Sequence, residues 1–296
     1  MTKRVWQIAT ALLIPLVLAS CAGPREPVVA LPAKHKLDTD QLLVRSDIKL
    51  PEDDPLIKDL LKMRQQVSQT LDLPLNSRPV HVYLFGSEET YRKYWTVNFP
   101  GYPLRRAYFV QTPDRELAVY TYWGDRIQED LRHEYTHGLL HSSTDTVPLW
   151  LDEGIAEYFE VPGKQPGGVN PDDIRRLTEA IRNGWRPGLE RLERLEKVEQ
   201  MQRADYREAW AWVHYMLHGS PDTPQILLGY LRELRTNPNP PPLSGRLRSE
   251  VPELDKRMLS YVGSLSSRTF QSAAFPDSGK TSGETKLGRA GVRAAH

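Results

Sequence analysis

Two histidines and a glutamate occur within five residues, as His133, Glu134 and His137 of the segment HEYTH. If the segment is helical, the two imidazoles lie about 40° apart around the helix axis and roughly 6 Å apart along it. Both rings could then direct a nitrogen at one metal ion, with Glu134 beside it to take a proton from a water. A catalytic zinc site has three protein ligands and one open position, so this pair needs a third ligand.

Two residues are candidates for the third ligand. His141 continues the series, but eight residues of helix span roughly 12 Å, so one straight helix cannot wrap three such ligands around an ion. Glu153 is the better candidate, because the polar segment Ser142–Thr146 can turn the chain and Pro148 suits the first turn of a new helix. That helix would run back past the first and present Glu153 to the metal.

Two further carboxylates could support such a site. Glu157 lies one helical turn after Glu153 and could accept the second N–H of a ligand histidine. Asp152 could do the same for the other ligand histidine. Alone, the two-histidine motif is also compatible with an amphipathic helix that carries two surface histidines, since short motifs recur by chance.

HEYTH and the later segment WLDEGIAEY together resemble the gluzincin metallopeptidases, which include thermolysin and the zinc aminopeptidases. Their closest likeness is to the bacterial peptidase-MA-like domain. The resemblance implies one zinc ion held by His133, His137 and Glu153, with Glu134 as the general base. It is strong over His133–Phe159 and extends more weakly over Val80–Leu217. A metzincin is disfavoured, because its third histidine would fall at Ser143.

The resemblance also suggests residues that contact the substrate. Tyr206, which opens the segment YREAW, resembles the tyrosine that stabilises the oxyanion in the aminopeptidases. A packed aromatic on an apolar helix is equally compatible with that segment. Leu117–Thr121 is predicted to be the edge strand that pairs with the substrate backbone, or an ordinary edge strand. The surrounding segment RELAVYTYW lacks the motif with which the aminopeptidases grip a free amino terminus, which favours an endopeptidase.

The N-terminal residues 1–21 resemble a bacterial lipoprotein signal peptide. Lys3 and Arg4 precede a short apolar run, Ala9–Ala19, and the run ends in the lipobox-like Leu18-Ala19-Ser20-Cys21. Cys21 is the only cysteine, which excludes an internal disulfide and predicts lipidation at Cys21. Because Ala22 and not aspartate follows, the rule for lipoproteins predicts an outer-membrane anchor facing the periplasm. Ordinary signal cleavage nearby is the alternative.

Composition and pattern predict the remaining organisation. The chain of 296 residues has a net charge of +1 and no basic stripe, which argues against a nucleic-acid partner. We expect an extended tether at residues 22–45, a zincin-like domain at 46–265 and a disordered tail at 266–296. Alternating and amphipathic patterns predict an α+β fold, with a small mixed β-sheet and an active-site helix followed by a mainly helical subdomain.

The expected function is a monomeric zinc metallopeptidase that acts on a peptide or protein substrate and is attached to the membrane through Cys21. Two other functions share these residues. One is a zinc-binding scaffold or assembly partner of the cell envelope that no longer turns over substrate. The other is an amidase acting on cell-wall peptides, which uses the same chemistry on a different substrate.

Overall fold

The computed structural model describes residues 30–39, 42–74, 78–112, 114–163 and 165–274. These residues form an α+β fold, with a small mixed sheet followed by a mainly helical half. The strands are β1 (His35–Asp38), β2 (Leu42–Ser46), β3 (Val80–Phe85), β4 (Ala107–Gln111) and β5 (Leu117–Tyr122). The helices are α1 (Pro55–Leu71), α2 (Glu88–Asn98), α3 (Ile127–Ser143), α4 (Leu149–Glu160), α5 (Pro171–Arg182), α6 (Leu189–Leu192), α7 (Arg203–His218), α8 (Thr223–Leu234), α9 (Leu243–Glu250) and α10 (Leu254–Ala274).

The sheet has the strand order β1-β2-β3-β5-β4. β2, β3 and β5 run parallel, and β1 and β4 pair antiparallel at the two edges. The prediction of a tether over residues 22–45 is therefore wrong in its second half, because β1 and β2 belong to the sheet. Leu42 and Val44 are buried, so the free energy of burying these apolar side chains favours the strand over an extended tether. Residues 22–29 lie outside the described residues.

Helices cover both faces of the sheet. Alternate side chains of β3 and β5, such as Val82 and Val119, join the main hydrophobic core on the face covered by α1 and α3. The intervening side chains, such as Phe85 and Tyr120, face a second cluster formed with Tyr91, Tyr94 and Trp95 of α2. Because β5 is interior to the sheet and covered on both faces, its side chains are buried without the alternation expected of an edge strand.

Two glycines allow the helices around HEYTH to pack closely. A β-carbon at Gly138 of α3 would lie 2.6 Å from a methyl group of Val80 on β3. One at Gly154 of α4 would lie 2.7 Å from the carbonyl oxygen of Ala209 on α7. Both distances are well below van der Waals contact, and the second involves backbone that no side-chain rotation can move. α4 and α7 therefore approach backbone to backbone directly after Glu153.

The helical half differs from the predictions in two places. The charged, amphipathic pattern of Leu189–Gln202 is typical of a helix, but α6 ends at Leu192 and only a short 3₁₀ helix follows at Val198–Gln200. Just after α6, Glu193 turns away to accept hydrogen bonds from the backbone and hydroxyl of Ser244 at the start of α9. The predicted disordered tail is wrong for residues 266–274, since α10 continues to Ala274. The rest of the tail, 275–296, lies outside the described residues.

The predicted signal segment, residues 1–21, also lies outside the described residues, and Cys21 with it. Among the helices that the structure does describe, none combines the length and the apolar character that crossing a bilayer requires.

Candidate metal centre

The HEYTH segment lies in the middle of α3, as predicted. The spacing of Asp125 and Gln128 resembles a capping box, but the helix begins at Ile127 after Arg126 and has no side-chain cap. Gln128 instead donates a hydrogen bond of 3.0 Å to Asp59 of α1. The chain then turns through residues 144–148, and α4 begins directly after Pro148 and returns along α3. This arrangement brings Glu153 of α4 back to the histidines of α3.

The three predicted ligands converge. Nε2 of His133 lies 3.4 Å from Oε2 of Glu153, and Nε2 of His137 lies 3.7 Å from the same oxygen. Ligand atoms from the three residues lie within 4.8 Å of one another. Ligands that bind one tetrahedral zinc at about 2.0–2.1 Å are themselves separated by about 3.3 Å, so these separations and this donor set fit a metal ion.

The outward nitrogen of each histidine is held by a carboxylate. Nδ1 of His137 lies 2.8 Å from Asp152, as predicted. Nδ1 of His133 lies 3.0 Å from Glu160. The prediction that Glu157 would hold a ligand histidine is therefore wrong in detail, because Glu160, three residues further along the same face of α4, makes that contact. These bonds leave both Nε2 atoms directed at Glu153.

Glu157 stays in the same cluster. Its carboxylate lies within 4.8 Å of ligand atoms of His133 and Glu160. Burial raises the pKa of Glu157 to about 7 and also raises the pKa of Glu160. Both carboxyl groups lie close to His133, and a cation at the centre would favour their ionised form.

The carboxylates reverse the usual effect of burial on the two histidines. Burial alone would lower the pKa of His137, but the charge of Asp152 and its hydrogen bond raise it to about 9. Burial is likewise outweighed at His133, where hydrogen bonds to Glu153 and Glu160 raise the pKa well above its usual value. In turn, the charges of His137 and His141 hold the pKa of Asp152 well below its usual range despite burial. Positive charge is thus stabilised at the centre.

The sequence pattern argues against His141 as a ligand and predicts no other role for it. The structure places its Nε2 2.9 Å from Asp152, so one carboxylate binds both His137 and His141. The ring of Phe109 stacks against both imidazoles. The spacing of four residues between His137 and His141 could have predicted this role, because the two side chains share one helix face.

Glu134 contacts the terminal strand of the sheet. Its Oε2 accepts a hydrogen bond of 2.6 Å from the backbone N–H of Phe109 in β4. The prediction that Leu117–Thr121 is an edge strand is wrong. β5 lies between β3 and β4, and β4 is the edge strand of the sheet. Since Phe109 donates away from β5, alternate residues of β4 direct their backbone groups outward toward α3.

The centre opens into a cleft of about 880 Å³. His133, Glu134, His137 and Glu153 line it, and Tyr206 lines it from the first turns of α7. Burial and the charge of Glu153 raise the pKa of Tyr206 to about 12. Tyr206 therefore shares the cleft with the three converging residues.

His214 and His218 form a second pair of histidines four residues apart, and both contact neighbouring helices. Nδ1 of His214 lies 2.6 Å from the hydroxyl of Tyr261 on α10, and Nε2 of His218 lies 2.7 Å from the hydroxyl of Tyr158 on α4. These contacts tie α7 to its neighbours. Neither histidine lines the cleft.

One family model matches part of the chain. The family described as "Protein of unknown function (DUF1570)" matches residues 129–239. The matched segment contains every predicted site residue from His133 to Tyr206, and it leaves the sheet outside. No curated protein matches the chain.

Proposed function

We propose that this protein is a zinc-dependent metallopeptidase of the gluzincin type, with a zincin-like domain, that hydrolyses peptide bonds of envelope proteins or peptides. One observation carries the proposal: Nε2 of His133, Nε2 of His137 and Oε2 of Glu153 converge in a cleft that Glu134 also lines. A zinc ion bound by these three residues would supply Lewis acidity, which activates a water at neutral pH and polarises a carbonyl. The remaining roles fall to side chains of the cleft.

Glu134 is the general base in this proposal. The N–H of Phe109 fixes Oε2, so Oε1 is left to accept a proton from the attacking water. The same carboxyl group would then deliver that proton to the nitrogen of the leaving amine. The same hydrogen bond holds the carboxyl group of Glu134 next to β4, the strand along which the substrate would lie.

Tyr206 is the donor to the oxyanion. With a pKa of about 12, its hydroxyl keeps its proton at neutral pH and can donate a hydrogen bond to the developing negative charge. The outward backbone groups of β4, apart from the N–H of Phe109 that Glu134 accepts, would pair with an extended peptide, a form of β-augmentation that places the scissile carbonyl over the centre. In the same proposal the protein is a monomer, attached by lipid on Cys21 to the outer membrane and facing the periplasm.

The proposal is tested with the zinc-loaded fragment that begins at Ala22 and a diverse peptide library, with products identified by mass spectrometry. Cleavage is expected with the wild type, and Glu134→Gln should lower its rate by about 10²–10⁴-fold while zinc stays bound. Glu199→Gln is the matched control, because Glu199 is an exposed carboxylate of the same cleft that lies apart from the three converging residues.

Equal cleavage by the wild type and Glu134→Gln would contradict the assignment of the base. No cleavage by the zinc-bound wild type would instead support the scaffold or the cell-wall amidase. Cell-wall peptide fragments assayed in the same way separate those two.

Zinc binding should release protons at neutral pH. His133 and His137 both have raised pKa values, that of His137 about 9, so both are protonated at pH 7 and must lose those protons to bind a metal. Calorimetry in buffers of different ionisation enthalpy should detect about two protons per zinc at pH 7. Affinity should rise with pH until His137 is neutral, above about pH 9. Binding at pH 7 without proton release would show that the imidazoles are already neutral.

A further inference from the structure

The mouth of the cleft carries guanidinium groups that form no salt bridge with the described part of the chain. Six arginines line the cleft: Arg105, Arg106, Arg126, Arg176, Arg203 and Arg207. Arg106 pairs with Asp130 at 2.7 Å, Arg126 pairs with Glu129, and Arg207 lies 4.0 Å from Asp173. Among the described residues, Arg105, Arg176 and Arg203 form no salt bridge with a carboxylate. Deeper in the cleft, Asp152, Glu153 and Glu160 contact the histidines instead.

Arg105 is held in a defined position at this mouth. Its guanidinium carbon lies 5.6 Å from the centroid of the Tyr108 ring, and Tyr108 stacks on Trp95 at 4.0 Å with an interplanar angle of 5°. Trp95 stacks in turn on Phe99. An arginine on an aromatic face keeps its in-plane N–H donors available to a ligand. The guanidinium also interacts with the side chain of Tyr206.

Helix α7 approaches the same point from the other side of the cleft. Arg203, Tyr206 and Arg207 occupy positions i, i+3 and i+4, so they share one helix face, and all three line the cleft. Tyr206 thus lies between Arg105 and the arginines of α7. Arg203 is exposed, so its side chain is free to meet a ligand.

We propose that Arg105 and Arg203 bind a carboxylate of the substrate next to the scissile bond, so that the cleft selects acidic peptides. This inference rests on the proposed peptidase function and names the substrate class of that site. A carboxylate accepts paired hydrogen bonds from a guanidinium, which gives both affinity and orientation. A polyanion such as a nucleic acid fits poorly, because the floor of the cleft is lined by Glu134, Glu157 and Glu160.

The carboxylate has two possible sources, an Asp or Glu side chain or the C-terminus of the peptide. Binding is measured by fluorescence anisotropy with zinc-loaded Glu134→Gln, so that no peptide is consumed. The reference is a neutral peptide with an amidated C-terminus. One series places glutamate at each position in turn and stays amidated, and a further peptide is neutral with a free C-terminal carboxylate.

One carboxylate-bearing peptide should bind about 10–100-fold more tightly than the reference, and its identity gives the source. Arg105→Met and Arg203→Met should each remove most of that preference and leave binding of the neutral peptide unchanged. Arg175→Met is the matched control, since Arg175 neighbours Arg176 on α5 and does not line the cleft. Circular dichroism confirms that each variant is folded.

The outcomes separate this inference from the proposed function. The inference is overturned if acidic and neutral peptides bind equally, or if the preference for a carboxylate survives both arginine substitutions. In that case, cleavage by the wild type would still support a peptidase. A carboxylate preference lost in both variants, with no cleavage by the wild type, upholds the inference about the cleft and overturns the peptidase.

Discussion

Replacing Glu153 with alanine should remove tight zinc binding and peptide hydrolysis together. Glu153 supplies the oxygen that lies 3.4 and 3.7 Å from the two imidazole nitrogens, and without it two histidines remain. Loss of a supporting hydrogen bond around a metal ligand weakens affinity by about 10–100-fold, and loss of a ligand should exceed that range. Zinc content after dialysis and titration against a chromophoric chelator measure the effect.

The matched control for this substitution is Glu199→Ala, which removes one negative charge from the same cleft and leaves the three converging residues intact. Its zinc affinity should stay near that of the wild type. Asp152→Asn provides an intermediate case, because Asp152 contacts the outward nitrogen of His137 and is not one of the three converging residues, and about 10–100-fold weakening is expected. Full zinc occupancy in Glu153→Ala after dialysis would show that Glu153 is not a ligand.

Arg132→Met should cause the largest loss of stability. Arg132 is 1% exposed, and its Nε donates to the carbonyl oxygens of Phe159 and Glu160 at the end of α4. Its Nη1 lies 3.0 Å from Asp59 of α1. The substitution would leave the carboxylate of Asp59 and two carbonyls without this partner. Breaking a buried ion pair in this way costs about 3–5 kcal/mol, to be measured by urea denaturation.

Arg92→Met is the control for Arg132. Arg92 forms a salt bridge of 2.7 Å with Glu88 on the surface of α2, and both side chains are about half exposed. Its loss should cost less than about 1 kcal/mol, because solvent screens the pair. If Arg132→Met were as mild as Arg92→Met, the buried guanidinium would not be what anchors α4. Zinc affinity should also fall in Arg132→Met, because Glu160 beside His133 would lose its backbone anchor.

Local signals in the sequence were sufficient for several elements. Asp54 caps α1 by accepting a hydrogen bond of 2.9 Å from the N–H of Leu56, as expected of Asp followed by Pro55 at a helix start. The spacing of His133 and His137 and the return of Glu153 on the next helix also followed from local pattern. Each of these depends on residues close together in the chain.

Features that depend on distant segments were missed. β2 pairs with β3 across more than thirty residues, and nothing within Leu42–Ser46 reveals that partner. The order of β4 and β5 could have been inferred, because the apolar run LAVYTY is typical of an interior strand. The contact of Glu160, and not Glu157, with His133 could not have been inferred, because both glutamates share the face of α4 with Glu153. Which of them reaches His133 depends on how α3 and α4 cross.

The close approach at Gly154 has a consequence for engineering this centre. Glu153 and Tyr206 lie on helices whose separation is set by one backbone touching another at Ala209, and not by side chains that could be trimmed or enlarged in steps. A portable unit must therefore keep α3, α4 and α7 together as one block. A scaffold that accepts only the HEYTH and WLDEGIAEY helices would carry the three converging residues but leave Tyr206 behind.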